Sequence, residues 1–455
     1  MTEKRFFPAS IVDEFLYYLD VNYPSSIHLV TNWFLALEGE VRTDVAQMAL
    51  TDALNHYPKC KCTLNNNYPS YKRWFRYRWE YQDITGKDIL EEIEVSDPDF
   101  NSEKAVDYYV NNYDHFSIDL SSHVPLKVLL IRQSNCVFLF FVFHHAAGDG
   151  MGIISFIQKF IKCYEAIFYQ QEKSNNHSTS LEDISAPDIT FRWNHFSPRR
   201  LGPYLKYATQ FRKEQTVNLY SHNPSFNLVE YFACVRSLSP RQFEVIRSTA
   251  KKHHATINDY LLATIFQITK KWSRKWIGQS EHIHINVPIN LRSPEDRTMS
   301  NTLSGINVSL KPELIGEKGE LLQSIREQIA MLTKNDIART LLNQACLIKL
   351  IPIPLRRILL KYAGRRVSST LLLSNMGVLS LNPSHKDEEG YHYLGPARIC
   401  NIHCLPPPGR FPGVVVLTYN NQMVISIAVM NDYFSQETAG RLLDAFVHEL
   451  IGKSI

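Results

Sequence analysis

The chain has 455 residues, of which 44% are hydrophobic and 21% charged, so its composition is that of a folded globular protein and excludes wholesale disorder. The 49 basic and 45 acidic side chains leave a net charge of +4 with no long run of like charge, and we expect no nucleic acid among its partners. The eight cysteines are scattered, and the N-terminus lacks the apolar region of a signal peptide. No apolar run approaches the about 20 residues that span a bilayer. These features predict a reduced, cytoplasmic protein.

The first half of the chain alternates helical and strand-like patterns. Apolar residues at helical spacing predict a helix over 44–56, and aromatic residues alternating with charged ones predict a strand over 75–81. Arginines between aromatic residues are also found in proteins that stack on single-stranded nucleic acid, but we interpret this strand as half-buried with a basic outer face. Residues 136–143 are apolar throughout, which indicates a central strand buried on both faces. A stripe over 153–168 predicts a long helix after it.

The polar stretch 170–188 resembles a surface loop, and we place a boundary there between an N-terminal lobe (1–180) and a C-terminal lobe (181–455). In the second half, helices are predicted to begin near Ser239 and after Thr256, which forms a capping-box pattern with Asp259. Residues 282–291 alternate as a strand, a hairpin turns at Asn420-Asn421, and a final helix follows Ser435. Because strands and helices alternate in both halves, the predicted fold class is α/β with mixed sheets.

Most common chemical motifs are missing from the chain. It has no glycine-rich phosphate loop, no G-x-S-x-G elbow and no H-E-x-x-H helix. Cys400, His403 and Cys404 form a C-x-x-H-C pattern, but a structural zinc site usually needs four ligands and no second cluster has metal-binding spacing. We therefore predict no metal site.

The sequence HHAAGDG (144–150) directly follows the predicted buried strand. A strand of this kind delivers two histidines to the end of a sheet, and the glycines allow a tight turn before the next helix. A neutral imidazole can remove a proton from an alcohol or amine that attacks a carbonyl group. Asp149 could fix the tautomer of the ring or brace the loop by pairing with an arginine. The alternative is a purely structural role, in which both histidines cap the strand.

HHAAGDG resembles the HHxxxDG signature of the CoA-dependent acyltransferase superfamily, which includes condensation domains, alcohol O-acetyltransferases, polyketide-associated acyltransferases and plant BAHD enzymes. Further segments resemble the family in the same order along the chain: ALNHYPKCKC, KKHHATINDYLLATIF, VPINLR followed by SNTLSGINVSL, LLLSNMGVL and the last hairpin and helix. The DFGWG motif of the plant enzymes is missing. The chain therefore resembles most a free-standing alcohol-acetyltransferase or polyketide-associated type.

The resemblance implies two chloramphenicol-acetyltransferase-like lobes with an active-site tunnel between them. It implies that His145 is the general base, that His144 is mainly structural, and that Asp149 pairs with an arginine of the second lobe, for which Arg292 is the match. Gly150 would keep the loop close to the tunnel. Ser374 and Asn375 would line it, with Ser374 as an oxyanion donor.

The implied reaction moves an acyl group from a thioester to a hydroxyl acceptor. No tightly bound cofactor is expected; acyl-CoA or an acyl-carrier protein would bring the acyl group, and a small alcohol would accept it. Two alternatives stay open: an amine acceptor that gives an amide, and a non-catalytic relative that only binds acyl thioesters.

Two basic stretches have no assigned partner. Residues 192–213 could meet the phosphates of CoA or an acidic carrier protein, and residues 347–366 could lie on a membrane surface, although Pro352 and Pro354 argue against one continuous helix. We interpret both stretches as solvated structural faces.

Overall fold

The computed structural model describes residues 6–21, 28–66, 76–133, 136–170, 198–217, 219, 230–273, 281–293, 296, 298–366, 369–381, 386–409, 411–430 and 435–452. Within helices it describes no side chain for 212, 213 and 360–366. No helix in these ranges combines the length and the hydrophobicity required to cross a membrane.

The described elements of the first half are β1 (Phe6–Pro8), α1 (Ile11–Val21), β2 (Val30–Glu38), α2 (Thr43–His56), β3 (Cys62–Asn65), β4 (Arg78–Tyr81), α3 (Gly86–Ile89), β5 (Leu90–Glu94), α4 (Ser102–Asn111), α5 (Tyr113–Phe116), β6 (Leu126–Gln133), β7 (Cys136–His144) and α6 (Gly150–Phe168).

Those of the second half are α7 (Pro198–Lys213), β8 (Gln215–Thr216), β9 (Tyr231–Leu238), α8 (Pro240–Lys252), α9 (Ile257–Ser273), β10 (Glu281–Asn290), β11 (Leu303–Leu310), α10 (Lys318–Lys334), α11 (Ile337–Ala345), α12 (Ile353–Arg366), β12 (Leu371–Val378), β13 (His392–Leu394), β14 (Ala397–Leu405), β15 (Gly413–Tyr419), β16 (Gln422–Met430) and α13 (Gln436–Leu450).

Strand β7 lies inside a six-stranded sheet of order β13-β14-β2-β7-β6-β5. It pairs antiparallel with β2 and β6. Alternate side chains of β7 enter two different hydrophobic cores: Leu139 and Phe141 join the core with α2 and α6, whereas Phe138 and Phe140 join the core with α4 and Tyr109. The prediction of a central strand buried on both faces is confirmed, and its apolar sequence follows from having a core on each side.

The second sheet has the order β11-β10-β12-β15-β16-β9, with β8 paired to β10. It is mixed, because β12 runs parallel to both β10 and β15, whereas β10 is antiparallel to β11 and β15 to β16. The helices α8, α9, α10 and α13 contribute side chains to its core. The molecule is thus a mixed α/β protein of two lobes, as the sequence predicts.

Two strands of the second half complete the sheet of the first half. β13 and β14 lie beyond β2, and β14 pairs antiparallel with β2 along most of its length. A single boundary along the chain therefore does not separate the two sheets, because β13 and β14 come late in the sequence but belong to the sheet of the first half. The predicted boundary at 180, together with Arg192 of the first basic stretch, lies in 171–197, outside the described residues.

Local signals for helix starts and turns are confirmed. The backbone N–H of Asp259 donates to Thr256 Oγ1 over 3.1 Å, and the N–H of Thr256 donates back to Asp259 Oδ2 over 3.0 Å, ahead of α9. Asn420 and Asn421 have φ angles of 45° and 58°, the left-handed geometry of a two-residue hairpin turn. Ser435 caps α13.

Candidate active site

The HHAAGDG segment forms the junction between β7 and α6. β7 ends at His144, and Asp149 is the N-cap of α6, where its Oδ1 accepts the backbone N–H of Gly152 over 2.9 Å. An aspartate at this position satisfies one of the free backbone donors at the start of the helix. The sequence therefore places both histidines where the sheet ends and the helix begins.

His144 is fully buried. Its Nδ1 accepts the backbone N–H of Ala146 over 3.1 Å, so the neutral ring carries its proton on Nε2, which lies 3.3 Å from Asp20 Oδ1. Burial opposes ionisation of Asp20, but hydrogen bonds with His144 and His28 outweigh it and lower its pKa to about 2. These contacts fit a structural role for His144.

His145 is partly accessible to solvent, in contrast to its neighbour. Its backbone N–H donates to the carbonyl oxygen of Leu29 over 2.8 Å, which fixes the position of the residue beside β2. Burial of the ring lowers the pKa of His145, and the negative charge of Asp149 only partly opposes this effect. The imidazole is therefore neutral at neutral pH, the form that can accept a proton.

Asp149 and Arg292 form an ion pair between the two halves of the chain. Arg292 Nη2 donates to Asp149 Oδ1 over 2.8 Å, and both side chains are buried. The other carboxylate oxygen, Oδ2, accepts the backbone N–H of Thr302 over 2.8 Å. Arg292 also donates to the carbonyl oxygens of Thr298 and Ser300. The carboxylate of Asp149 thus braces the loop.

Asn301 is a further residue of this site that the sequence reasoning did not assign. It is completely buried, and its Nδ2 lies 3.0 Å from the carbonyl oxygen of His145, 2.9 Å from that of Ala146 and 3.3 Å from Asp13 Oδ1. The second half therefore holds the backbone of the HHAAGDG segment (144–150), which we call the histidine loop. The available signal was the position of Asn301 in SNTLSGINVSL, nine residues after Arg292.

Strand β12 approaches the loop from the second half. A Cβ atom at Gly150 would overlap with Cε of Met376, so the strand and the loop approach closely here and a larger residue would require the methionine side chain to move. Ser374 Oγ lies 3.6 Å from Met376 Sδ, and Asn375 Nδ2 lies 3.5 Å from Asn258 Oδ1 at the start of α9. The predicted pair Ser374 and Asn375 is thus on the strand beside the loop, but Met376 makes the contact with Gly150. Their lining of a tunnel, and the tunnel itself, stay predictions.

One group of described side chains has the composition of a metal site. The ligand atoms of Asp20, His28 and His144 lie within 4.8 Å of one another. Hydrogen-bond distances within the group account for this spacing, since His28 Nδ1 lies 2.9 Å from Asp20 Oδ2. His403, from the C-x-x-H-C pattern, instead stacks on Phe34 in the core, and burial lowers its pKa to about 3.

A family model described as the condensation domain matches residues 3–184. Over the whole chain, the structure is similar to the trichothecene 15-O-acetyltransferase TRI3 from Fusarium sporotrichioides, with a TM-score of 0.75 and 11% identity, covering 98% of this chain and 95% of that one. It is also similar to the first condensation domain of the calcium-dependent antibiotic synthetase, with a TM-score of 0.73 and 11% identity, covering 98% and 96%. The chain has the condensation-domain fold.

A third structure with the condensation-domain fold is the starter condensation domain of rhizomide synthetase, a mutant in complex with C8-CoA and Leu-SNAC. Its TM-score is 0.69 at 12% identity, and the match covers 98% of this chain and 94% of that one. No curated protein sequence matches the chain significantly. In this condensation-domain fold, the histidine loop lies where β7 of one lobe meets Arg292, Asn301 and β12 of the other.

Proposed function

We propose that this protein is an acyltransferase that moves an acyl group from a thioester to a hydroxyl acceptor, with His145 as the general base. The observation that carries the proposal is a neutral imidazole on a partly exposed residue of a loop whose backbone is held by both lobes. A base that is fixed in place and unprotonated at neutral pH is what an attacking alcohol requires.

In the proposed reaction, His145 takes the proton of the acceptor hydroxyl as its oxygen attacks the thioester carbonyl carbon. The tetrahedral intermediate then collapses, the carbon–sulfur bond breaks, and the imidazolium returns the proton to the leaving thiolate. The products are an ester and a free thiol. A positioned base contributes about 10² to 10⁴-fold to such a reaction. Ser374 is the proposed donor to the oxyanion, a role worth about 10² to 10³-fold.

The structural neighbours support both substrate classes of this proposal. One of them is by its name an O-acetyltransferase, and another carries C8-CoA by its description. We propose acyl-CoA as donor for this chain on the same basis, and an acyl-carrier protein as the other donor that the sequence resemblance implies.

An amine acceptor, with an amide as product, is the second candidate. It is favoured by the condensation domains among the neighbours, one of which is in complex with Leu-SNAC. The same base would serve an amine, so the two candidates differ in the product and not in the role of His145.

Incubation with a panel of acyl-CoAs and of alcohol and amine acceptors, followed by mass spectrometry and free-thiol release, tests the proposal. We expect His145→Ala to reduce acyl transfer by about 10² to 10⁴-fold while thermal unfolding stays cooperative. The exposed histidine variant His115→Ala, the matched control, should retain activity. Turnover by His145→Ala equal to that of the wild type would refute the assignment of the base. Absence of thiol release with every donor would favour the non-catalytic alternative.

A further inference from the structure

A surface of unusual composition lies at the end of the second half, on the segment 347–359. Leu350, which ends a 3-10 helix over Cys346–Leu350, is 75% exposed. Leu355, Ile358 and Leu359 of α12 are each more than half exposed. The last three residues are spaced i, i+3 and i+4, so they form one stripe on the helix, which we call the apolar face of α12.

The inward side of the same helix carries a buried charge beside the core residue Ile353. Arg356 is only 4% exposed and forms a buried ion pair with Glu14 of α1. Its Nη2 also donates to the carbonyl oxygen of Ile351 over 3.0 Å. Lys349 lies beside it, with its Nζ 2.6 Å from the carbonyl oxygen of Ala9 and 3.4 Å from Glu14 Oε1. A helix on the surface of a protein in water normally has the opposite arrangement.

These inward contacts fix the rotation of α12 about its axis. The hydroxyl of Tyr18 donates to the carbonyl oxygen of Arg357, and Arg357 Nη2 lies 2.6 Å from Tyr77 Oη. Turning the leucines inward would take Arg356 away from the buried carboxylate of Glu14 and leave only Lys349 of the described cations beside it, which is unfavourable. The fold therefore maintains the apolar face in an outward orientation, and contiguous exposed apolar surface of this kind marks an interaction site.

The charge around the apolar face selects the kind of partner. The chain has no Asp or Glu between Asp336 and Asp387, whereas the sequence of α12 contains Arg357, Lys361, Arg365 and Arg366. Helices that lie at the surface of an anionic bilayer combine leucine and isoleucine on one side with arginine and lysine nearby.

We propose that the apolar face of α12 docks this protein on a lipid bilayer with anionic headgroups. The leucine and isoleucine side chains enter the boundary between headgroups and acyl chains, and the positive charge of the acid-free segment 337–386 attracts the anionic headgroups. The proposal is independent of the acyl-transfer reaction, because binding can be measured without substrates.

Co-sedimentation of the full chain with phosphatidylcholine vesicles, with and without phosphatidylserine, tests this docking. We expect binding to the anionic vesicles that weakens with added salt, and a loss of at least about tenfold in the variant Leu355→Ser/Ile358→Ser/Leu359→Ser. The matched control is Val245→Ser/Leu314→Ser/Met331→Ser, which removes three similarly exposed apolar side chains elsewhere on the second half. The control should bind as the wild type does, and circular dichroism should show both variants folded.

Three outcomes overturn the proposal. The first is a wild-type protein that sediments with neither kind of vesicle. The second is equal binding by the wild type and the α12 variant. The third is a dimer in light scattering that the α12 variant dissociates, which would assign the apolar face to a second copy of the chain.

Discussion

Two adjacent histidines in one turn have opposite environments. The Nδ1 of His144 accepts a backbone N–H and its Nε2 faces the ionised Asp20, which leaves the ring no freedom. Among the described residues no carboxylate forms an ion pair with the ring of His145, and burial shifts its pKa downward. The difference arises because residue 144 still belongs to β7 and points into the protein, whereas residue 145 is the first residue of the turn.

The lowered pKa of His145 predicts the pH dependence of the proposed reaction. The free imidazole has a pKa near 6.5, and burial in the folded enzyme moves it below that value. We expect the acid limb of kcat/KM against pH to have its midpoint below 6.5, because the base is lost only when the buried ring becomes protonated. A midpoint above 6.5, measured with a thioester that is stable over the range, would contradict this environment for the base.

The same shift of the pKa of His145 should lower the free energy of unfolding as the pH falls below 6.5, since the unfolded chain then binds the proton more readily.

Among the secondary-structure elements, the start of α6 depends on the loop that follows β10. Asp149 is at once the N-cap of α6 and the partner of Arg292, and the backbone N–H of Thr302, at the end of the same loop, also donates to it. One carboxylate therefore joins a helix of the first half to a loop and strand of the second.

Removal of either member of the Asp149–Arg292 pair should destabilise the fold. Because both side chains are buried, Arg292→Ala leaves Asp149 as a buried carboxylate without its cation, which costs about 3 to 5 kcal/mol. After Asp149→Ala the guanidinium still has Asp296 Oδ1 at 3.3 Å, so we expect this variant to lose stability by a smaller amount. Urea unfolding measures this change. Lys271→Ala, which removes a surface pair with Glu449, serves as control and should change stability by about 0 to 1 kcal/mol. If Asp149→Ala were stable but inactive while His145→Ala failed to fold, the two roles would have to be exchanged.

Sequence patterns predicted the helices and strands that carry the site, but they did not predict the contacts between these elements. β7, α6 and the caps of α9 and α13 follow from local periodicity and capping residues. The contact of Asn301 with the histidine loop has no such signal, because it joins residues more than 150 positions apart. Asp20 likewise lies in a helix whose sequence does not reveal its partner. Pairing between distant segments is decided by tertiary packing, which local patterns do not report.

The basic stretch 347–366 shows where a charge pattern misled the interpretation. Its charge predicts a solvated face, but Arg356 is buried against Glu14, and the exposed residues among the described side chains include several leucines and Ile358 beside Arg357. The prolines do separate two helical pieces, since Pro352 lies between the 3-10 helix and α12, whereas Pro354 fits in the first turn of α12. The sequence separation of about 340 residues between Glu14 and Arg356 explains why composition alone could not show this pairing.

Across the whole molecule, the exchange of β13 and β14 makes each half incomplete without the other. β2 has β7 on one side and β14 on the other, and the core below this sheet also contains Val415 and Leu417 of β15. A fragment without these strands would leave the edge of β2 unpaired and apolar surface exposed.

We therefore expect the halves 1–180 and 181–455 to be unable to fold when expressed separately. Fragment 1–180 should aggregate or lack dispersed NMR signals, because it lacks β13 and β14. The full chain should give dispersed signals and cooperative unfolding under the same conditions. A soluble monomeric fragment 1–180 with a cooperative melt would show that the exchanged strands are dispensable.

The contact between Asn301 and the carbonyl groups of residues 145 and 146 also affects the order of events during synthesis. A ribosome completes the histidine turn more than 150 residues before it adds the amide that holds this turn. A nascent chain interrupted in between carries both imidazoles but has no rigid turn. The chain thus acquires the rigid histidine turn late in translation. Truncated products contain the HHAAGDG sequence without the contacts that hold His145 in place.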